Sequence, residues 1–247
     1  MMPKKFWSVL GSAMLLGASS WVSAAPAYWT DWTGSAALNG TTVYGTITTP
    51  TSTVNVTYNN PQGIAFLQTG AGTDYFQNSL PVAGSPYTSA LVDNIPTPAE
   101  MIALQFAGRQ SLHFSQAIAN PVFSYISLNG NGYGFNQDFD ILSFGDATDG
   151  NYCGYWGCGT SYKNVVALVG GGFEYQLLGL GEPHGTIRFK GAFSDVSWNS
   201  LSSENWNGFT VGVQGTAIEI FETPEPGSIA LLGLGLLALA GARRRKV

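Results

Sequence analysis

The residues with the clearest chemistry sit in one short stretch, Asn151-Tyr152-Cys153-Gly154-Tyr155-Trp156-Gly157-Cys158-Gly159, which holds the chain's two cysteines. In an oxidising compartment so close a pair, Cys153 and Cys158, predicts a disulfide. Closing a loop this small stabilises a fold by only about 2 kcal/mol through chain entropy, so its larger effect would be to stiffen a hairpin tip. Zinc would need two further ligands, and the two histidines, His113 and His184, lie far away in sequence. Tyr152, Tyr155 and Trp156 stand among the glycines. Such rings either stack on the apolar faces of sugars, a lectin-like use, or fold back onto a sheet as ordinary strand aromatics do.

A second group is acidic: Asp138, Asp140, Asp146 and Asp149. The run Asp146-Ala147-Thr148-Asp149-Gly150-Asn151 resembles a loop offering oxygens to calcium, which makes Asp146 and Asp149 the metal candidates. It lacks the EF-hand spacing and its closing Glu, and a solvated acidic loop is the simpler reading. Glycoside hydrolysis requires two carboxylates a few ångström apart, and no spacing here selects a pair. There is no Gly-x-Ser-x-Gly elbow, HExxH, phosphate loop or dinucleotide fingerprint. No catalytic residue is assigned, so the expected protein is non-enzymatic and needs no cofactor. A carbohydrate-binding module and, behind it, a polysaccharide hydrolase are the alternatives.

Positioning these residues falls to strands. Segments 42–47 and 53–58 concentrate β-formers on either side of a turn with Pro50 and read as a hairpin. Further strands are expected at 101–106, 111–115, 122–128, 139–144, 165–169, 173–178, 186–190, 196–198, 209–213 and 217–221. Thr97-Pro98-Ala99-Glu100 has the pattern of a helix capping box, but alternation over 101–106 favours a strand there. Many short strands between Gly, Asn and Pro predict an all-β fold, a single β-sandwich or jelly-roll-like ectodomain over residues 25–222. Trp29, Trp32, Trp198 and Trp206 are expected to fill its core.

That body is acidic, with 14 Asp and Glu against Arg109, Lys163, Arg188 and Lys190. Nucleic acid, whose binding depends on basic residues meeting phosphates, is excluded as a partner. The other six basic residues lie at the ends. Lys4 and Lys5 precede an apolar run and the small residues Val22-Ser23-Ala24-Ala25, the pattern of a signal peptide over 1–24 cut between Ala24 and Ala25. Its partners would be the Sec export machinery and signal peptidase. At the other end Pro224, Glu225 and Pro226 precede an apolar stretch, 228–242, and then Arg243, Arg244, Arg245 and Lys246. Fifteen helical residues span about 22 Å, short of the ~30 Å hydrocarbon core, so this would be a modest single-pass anchor with its basic cluster cytoplasmic. The prolines resist helix and sheet, leaving an extended segment outside the bilayer for a protease to grip.

Taken in order, the Pro-Glu-Pro motif, short apolar helix and Arg-rich end of residues 223–247 resemble the PEP-CTERM sorting tail, with Thr223 where Val is frequent. The resemblance implies recognition by exosortase, a membrane-embedded cysteine protease-like enzyme. It also implies association with exopolysaccharide and biofilm matrix, after a transient stay in the inner membrane with the body outside the cytoplasm. Trp29-Thr30-Asp31-Trp32, Val54–Tyr58, Gly185–Phe189 and Asn205–Val213 loosely resemble ectodomains that precede such tails, which again implies a β-sandwich.

Overall fold

The computed structural model describes residues 24–36, 41–221 and 231–236. Fifteen strands are found there. In chain order they are β1 (Tyr28–Trp29), β2 (Asp31–Ala36), β3 (Thr41–Thr48), β4 (Thr53–Asn60) and β5 (Phe66–Thr69). Next come β6 (Glu100–Leu104), β7 (Gly108–Ala119), β8 (Val122–Ile126), β9 (Gly132–Phe135) and β10 (Phe139–Phe144). The last are β11 (Gly159–Ala167), β12 (Phe173–Gly181), β13 (Gly185–Phe189), β14 (Ala192–Ser200) and β15 (Asn207–Val213), followed by a short helix α1 (Ala217–Phe221). They form two antiparallel sheets, the all-β sandwich expected. One runs β10-β13-β8-β15-β6-β5 with β1 also on β15; the other runs β11-β12-β9-β14-β7-β4-β3-β2. The predicted hairpin is β3 and β4, paired from Thr41↔Asn60 to Thr48↔Thr53.

Alternation makes the inner face. In β4, Val54, Val56 and Tyr58 point inward while Thr53, Asn55 and Asn59 are exposed, the period-2 pattern of a sheet wet on one side. An aromatic layer fills the space between the sheets. Phe123 of β8 stacks on Phe209 of β15 at 4.8 Å and meets Phe135 and Trp198 of the opposite sheet edge-on at 5.5 and 5.6 Å. Both geometries suit the negative face and positive edge of these rings.

The central strands of the seven-stranded sheet do not alternate in this way. β6, β8 and β15 are buried at every residue. Their outer face packs under the long segment between Thr69 and Glu100, where Phe76, Tyr87 and Ile95 form a second core with Met101, Ala103 and Ile126. The capping-box pattern at Thr97 makes no helix. Ala99 there takes a left-handed φ of 54°, which a helix excludes, and the chain enters β6.

One expected strand is corrected. Residues 217–221 form α1, because Thr216 and Glu219 cap each other: Thr216 N donates to Glu219 Oε2 at 2.7 Å and Glu219 N donates to Thr216 Oγ1 at 3.2 Å. This is a capping box, which satisfies two helix-end donors that a strand would have paired sideways. Strands β1, β2, β5 and β9 were not foreseen, being short or glycine-bearing.

Register sorts the loops between two ends. β15 runs from Asn207, opposite Leu104, to Val213, opposite Tyr28, and continues into Thr216, which bridges to Ile118 near the end of β7. Ala25, the expected mature start, bridges to Val92 and accepts from Gln214 at this same end. The segment after β8, the turn after β12 and the loop between β14 and β15 gather at the opposite, far end.

Buried groups give the fold opposing pH responses: Glu204, raised to about 7, acts in the same direction as Glu100, while His184, lowered to about 3, opposes them below its ordinary 6.5. Glu100, 4% exposed, accepts from Trp32 N at 2.8 Å, yet burial, helped by the charge of Asp31, pushes it up to about 7. Folded Glu100 therefore holds its proton more tightly than the unfolded chain, where the ordinary value is 4.5. Its contribution is complete below that value and lost as pH rises through about 7. Partial burial raises Glu219 as well, but hydrogen bonds from Thr49, Thr51 and Thr216 outweigh it and hold this carboxyl at about 2, so its contribution is lost as pH falls from 4.5 through 2. Urea unfolding across pH should therefore show highest stability in the mildly acidic range, and Glu100→Gln should flatten the fall toward neutral pH while leaving the acid limb. An unaltered neutral limb in that variant would refute this role for Glu100.

Candidate functional site

The Cys153 to Cys158 loop lies at the far end, and the predicted disulfide is present, with Cα atoms 4.3 Å apart. A buried floor sets its position. His184 is fully buried, and desolvation pushes it down to about 3, so the ring is neutral; its Nδ1 lies 3.2 Å from Tyr87 Oη. Gly154 rests directly on this imidazole, where a Cβ would stand 2.1 Å from the ring. Only glycine lets the backbone come so close.

The acidic run ahead of the loop acts as its bracket. Asp146 Oδ1 accepts from Thr148 N at 2.8 Å and from Thr148 Oγ1 at 2.7 Å, which holds that carboxyl below the usual range. Asp149 Oδ2 accepts from Phe144 N at 2.9 Å and Asn151 Nδ2 at 2.8 Å. Gly150, at φ 77°, closes the turn. Both calcium candidates thus spend an oxygen on the loop itself, and among the described residues no three His, Cys, Asp or Glu side chains come together around a possible ion.

The candidate rings separate. All three are exposed, Tyr152 at 48%, Tyr155 at 42% and Trp156 at 52%, so none folds back into the core. Tyr152 leaves the group: its N–H donates to Gly84 O at 2.7 Å and its ring lies against Gly84. Tyr155 and Trp156 instead join two rings from distant loops. Tyr75 meets Tyr155 at 5.0 Å and stacks on Trp156 at 6.3 Å; Trp206 meets Tyr75 at 5.0 Å and Trp156 at 6.1 Å. Trp206 corrects an expectation. Trp32 and Trp198 are fully buried, but Trp29 and Trp206 are half-buried, because Trp206 sits on the loop after β14, outside the sandwich.

Trp156 and Trp206 flank a cleft of about 270 Å³ whose other lining residues are Ser127, Asn129, Glu182 and Asn205. Glu182 is fixed between two neutral donors, Ser127 Oγ at 2.8 Å and Asn129 Nδ2. Glu204 precedes the Asn205-Trp206 rim and accepts from Asn207 Nδ2; burial first, and then the charge of Glu182, raise it to about 7 against the pull of the Asn207 and Asn131 amides. Residue spacing did not single out Tyr75, Asn129, Glu182, Glu204 or Asn205. The available signal was the amide-rich composition of Asn129-Gly130-Asn131-Gly132 and Asn205-Trp206-Asn207-Gly208.

The family model for the PEP-CTERM protein-sorting motif matches residues 222–246. The chain therefore carries this sorting motif and is an exported protein handled by an exosortase, anchored to the membrane before processing. No curated protein and no solved structure matches the chain. Pro224, Glu225, Pro226 and the basic residues Arg243, Arg244, Arg245 and Lys246 lie outside the described residues, as does the signal peptide up to residue 23. Of the expected membrane segment, 231–236 is helical and exposed; among the described residues no helix is long and apolar enough to cross a membrane.

Because the disulfide closes the loop bearing Tyr155 and Trp156, Cys153→Ser with Cys158→Ser should lower stability by about 2 kcal/mol. The same variant should let acrylamide quench tryptophan fluorescence more strongly, as Trp156 loosens from Tyr75 and Trp206. Unchanged quenching would mean that His184 and the aspartate bracket hold the loop without the bridge.

Proposed function

We propose that this chain is a non-enzymatic cell-surface or extracellular-matrix protein that binds polysaccharide in its far-end cleft. The observation that supports this most is that Trp156 and Trp206, in edge-to-face contact, line one cleft together with Ser127, Asn129, Asn205 and Glu182. Sugar C–H groups carry slight positive charge and suit the negative faces of indole rings. Sugar hydroxyls need donors and acceptors together, which amides and hydroxyl groups supply. The cleft is small beside the ~300–1,000 Å³ of pockets that enclose a drug-sized ligand, so it fits one segment of a longer chain.

The ends of the sandwich support the same reading. α1 leads into the sorting motif, and Phe221 is separated from the apolar stretch at Ser228 by seven residue steps, at most about 25 Å of extended chain. Before processing, that end is held close to the bilayer while the cleft opens at the other, toward the matrix. Export by Sec, cleavage at Ala24 and later attachment to exopolysaccharide belong to this proposal.

Hydrolysis is the second reading, favoured by Glu204, whose raised pKa near the charge of Glu182 suits a proton donor beside a charged carboxylate. It ranks lower because Ser127 and Asn129 already occupy both oxygens of Glu182. Release of short sugars from a polysaccharide by the purified protein would reverse that order.

In pull-downs with polysaccharide, Trp156→Ala or Trp206→Ala should weaken binding about tenfold or more, the loss of at least ~1.4 kcal/mol expected of a central aromatic contact. Retained binding by both folded variants would place the ligand elsewhere. For the tail, intact-mass analysis of protein from the medium should show that Arg243–Lys246 is gone, and Glu225→Ala should leave the tail on and the protein in the membrane. Full-length chains in the medium would count against exosortase processing.

A further inference from the structure

The cleft holds negative charge with nothing to balance it. Glu182 is satisfied only by a hydroxyl and an amide, and Glu204, behind the rim residue Asn205, accepts from Asn207 and leaves its buried Oε2 without a partner. The ion pairs among the described residues involve Asp138, Asp140 and Asp195, and neither glutamate takes part in one. No Lys or Arg lines the cleft. Cations reach carboxylates at one cluster, where Lys190 meets both Asp138 and Asp140 and Lys163 also meets Asp138; what sets Glu182 apart from the other carboxylates held by neutral donors is that it lines a cleft beside two indole rings. A carboxylate that lines an open cleft without a counterion, as Glu182 does, forms a site that gains from a cation.

The rings act in the same direction. An ammonium group within about 6 Å of an indole or phenol face is attracted to it, more strongly when partly desolvated. Here two such rings, Trp156 and Trp206, line the cleft with Glu182, backed by Tyr75 and Tyr155. A metal ion is poorly served, since no third acid, Cys or His joins the two glutamates among the described residues. A uronate would face the repulsion of Glu182, while an N-acetylated sugar would fill the space and leave its charge unmet.

We infer that the ligand is an amino-sugar polymer with free, protonated amines, its ring resting on the indole surface that Trp156 and Trp206 give the cleft and its ammonium group turned toward Glu182. This rests on the polysaccharide-binding reading and specifies its ligand. A carboxylate held by Ser127 and Asn129 cannot swing away, so it selects where along the sugar ring the amine must lie. Glu204, nearer its own neutral form, contributes less as pH falls, and Glu182 is left as the principal contact.

Calorimetric titration of the full-length protein at about pH 6 separates the possibilities, with equal-length oligomers of glucosamine, N-acetylglucosamine and a uronic acid as probes. The glucosamine oligomer should bind at least about tenfold tighter than the other two. Glu182→Gln should bring the ratio of glucosamine to N-acetylglucosamine affinity close to one. Should that variant fail to fold, salt provides the same test on the unaltered chain. Raising it from about 0.01 to about 1 M shortens the screening length from about 30 to about 3 Å and should erase the preference. Equal or tighter binding of the N-acetylated or uronate oligomer, or a preference that survives both Glu182→Gln and high salt, overturns the amine assignment while leaving polysaccharide binding intact. Binding of none of the three, with no binding of matrix polysaccharide either, overturns the underlying reading and the inference with it.

Discussion

The seven-stranded sheet carries apolar side chains on both faces, and the rest of the molecule is arranged around the need to cover them. One face is met by the aromatic layer of the second sheet, with Phe123 stacked on Phe209 and touching Phe135 and Trp198. The other face would otherwise leave Met101, Ala103 and Ile126 in water. Burying such surface is favourable by roughly 25 cal/mol per Å², which stabilises an irregular lid of about thirty residues between β5 and β6. A lid without ladder hydrogen bonds must find other partners for its polar groups. Asn78 donates to Pro96 O, Tyr87 meets His184, and Ser143 Oγ donates to Pro86 O.

The cleft follows from the same constraint. The lid brings Tyr75 to the far end, where Phe66 and Trp206 lie over its edge at 6.4 and 5.0 Å. Tyr87 and His184, buried beneath, form the surface on which Gly154 and the disulfide loop rest. Rings separated by up to 131 positions, from Tyr75 to Trp206, thereby become neighbours. Their exposure is a product of architecture. The sandwich already has its aromatic core, so Tyr75 and Trp206 pack half-buried against the second core and Tyr155 and Trp156 extend from them into solvent, with Trp156 and Trp206 next to Glu182.

The acidic body has a complementary logic at the tail end. Glu219 closes the capping box of α1 and is tied to the β3–β4 turn through Thr49 and Thr51, so the last folded element before the sorting motif is pinned to the eight-stranded sheet. The polypeptide then leaves the sandwich at the end opposite the cleft. While the tail is anchored, this polarity suits the binding proposed above, since the cleft is the end turned outward.

Much of the scaffold was legible in the residues. Period-2 alternation and β-branched content mark β3, β4 and β7, and the close cysteines mark their own bridge. The sorting tail is legible as linear chemistry, since prolines, an apolar run and arginines act in sequence order whatever the body folds into. Segment 217–221 was misread because its Ala-Ile-Glu-Ile-Phe suits a strand locally, while the Thr216 and Glu219 caps decided for a helix. The site was legible only in part. Tyr155 and Trp156 announce themselves between two cysteines, whereas Tyr75, Glu182, Glu204 and Trp206 look like ordinary residues of separate loops. Sequence alone determined the β-rich class, the disulfide and the sorting address, because each depends on residues near one another in the chain. The cleft, the ring cluster beside it and the placing of Glu182 in its wall were decided by tertiary structure, because covering both faces of a sheet is what joins loops so far apart.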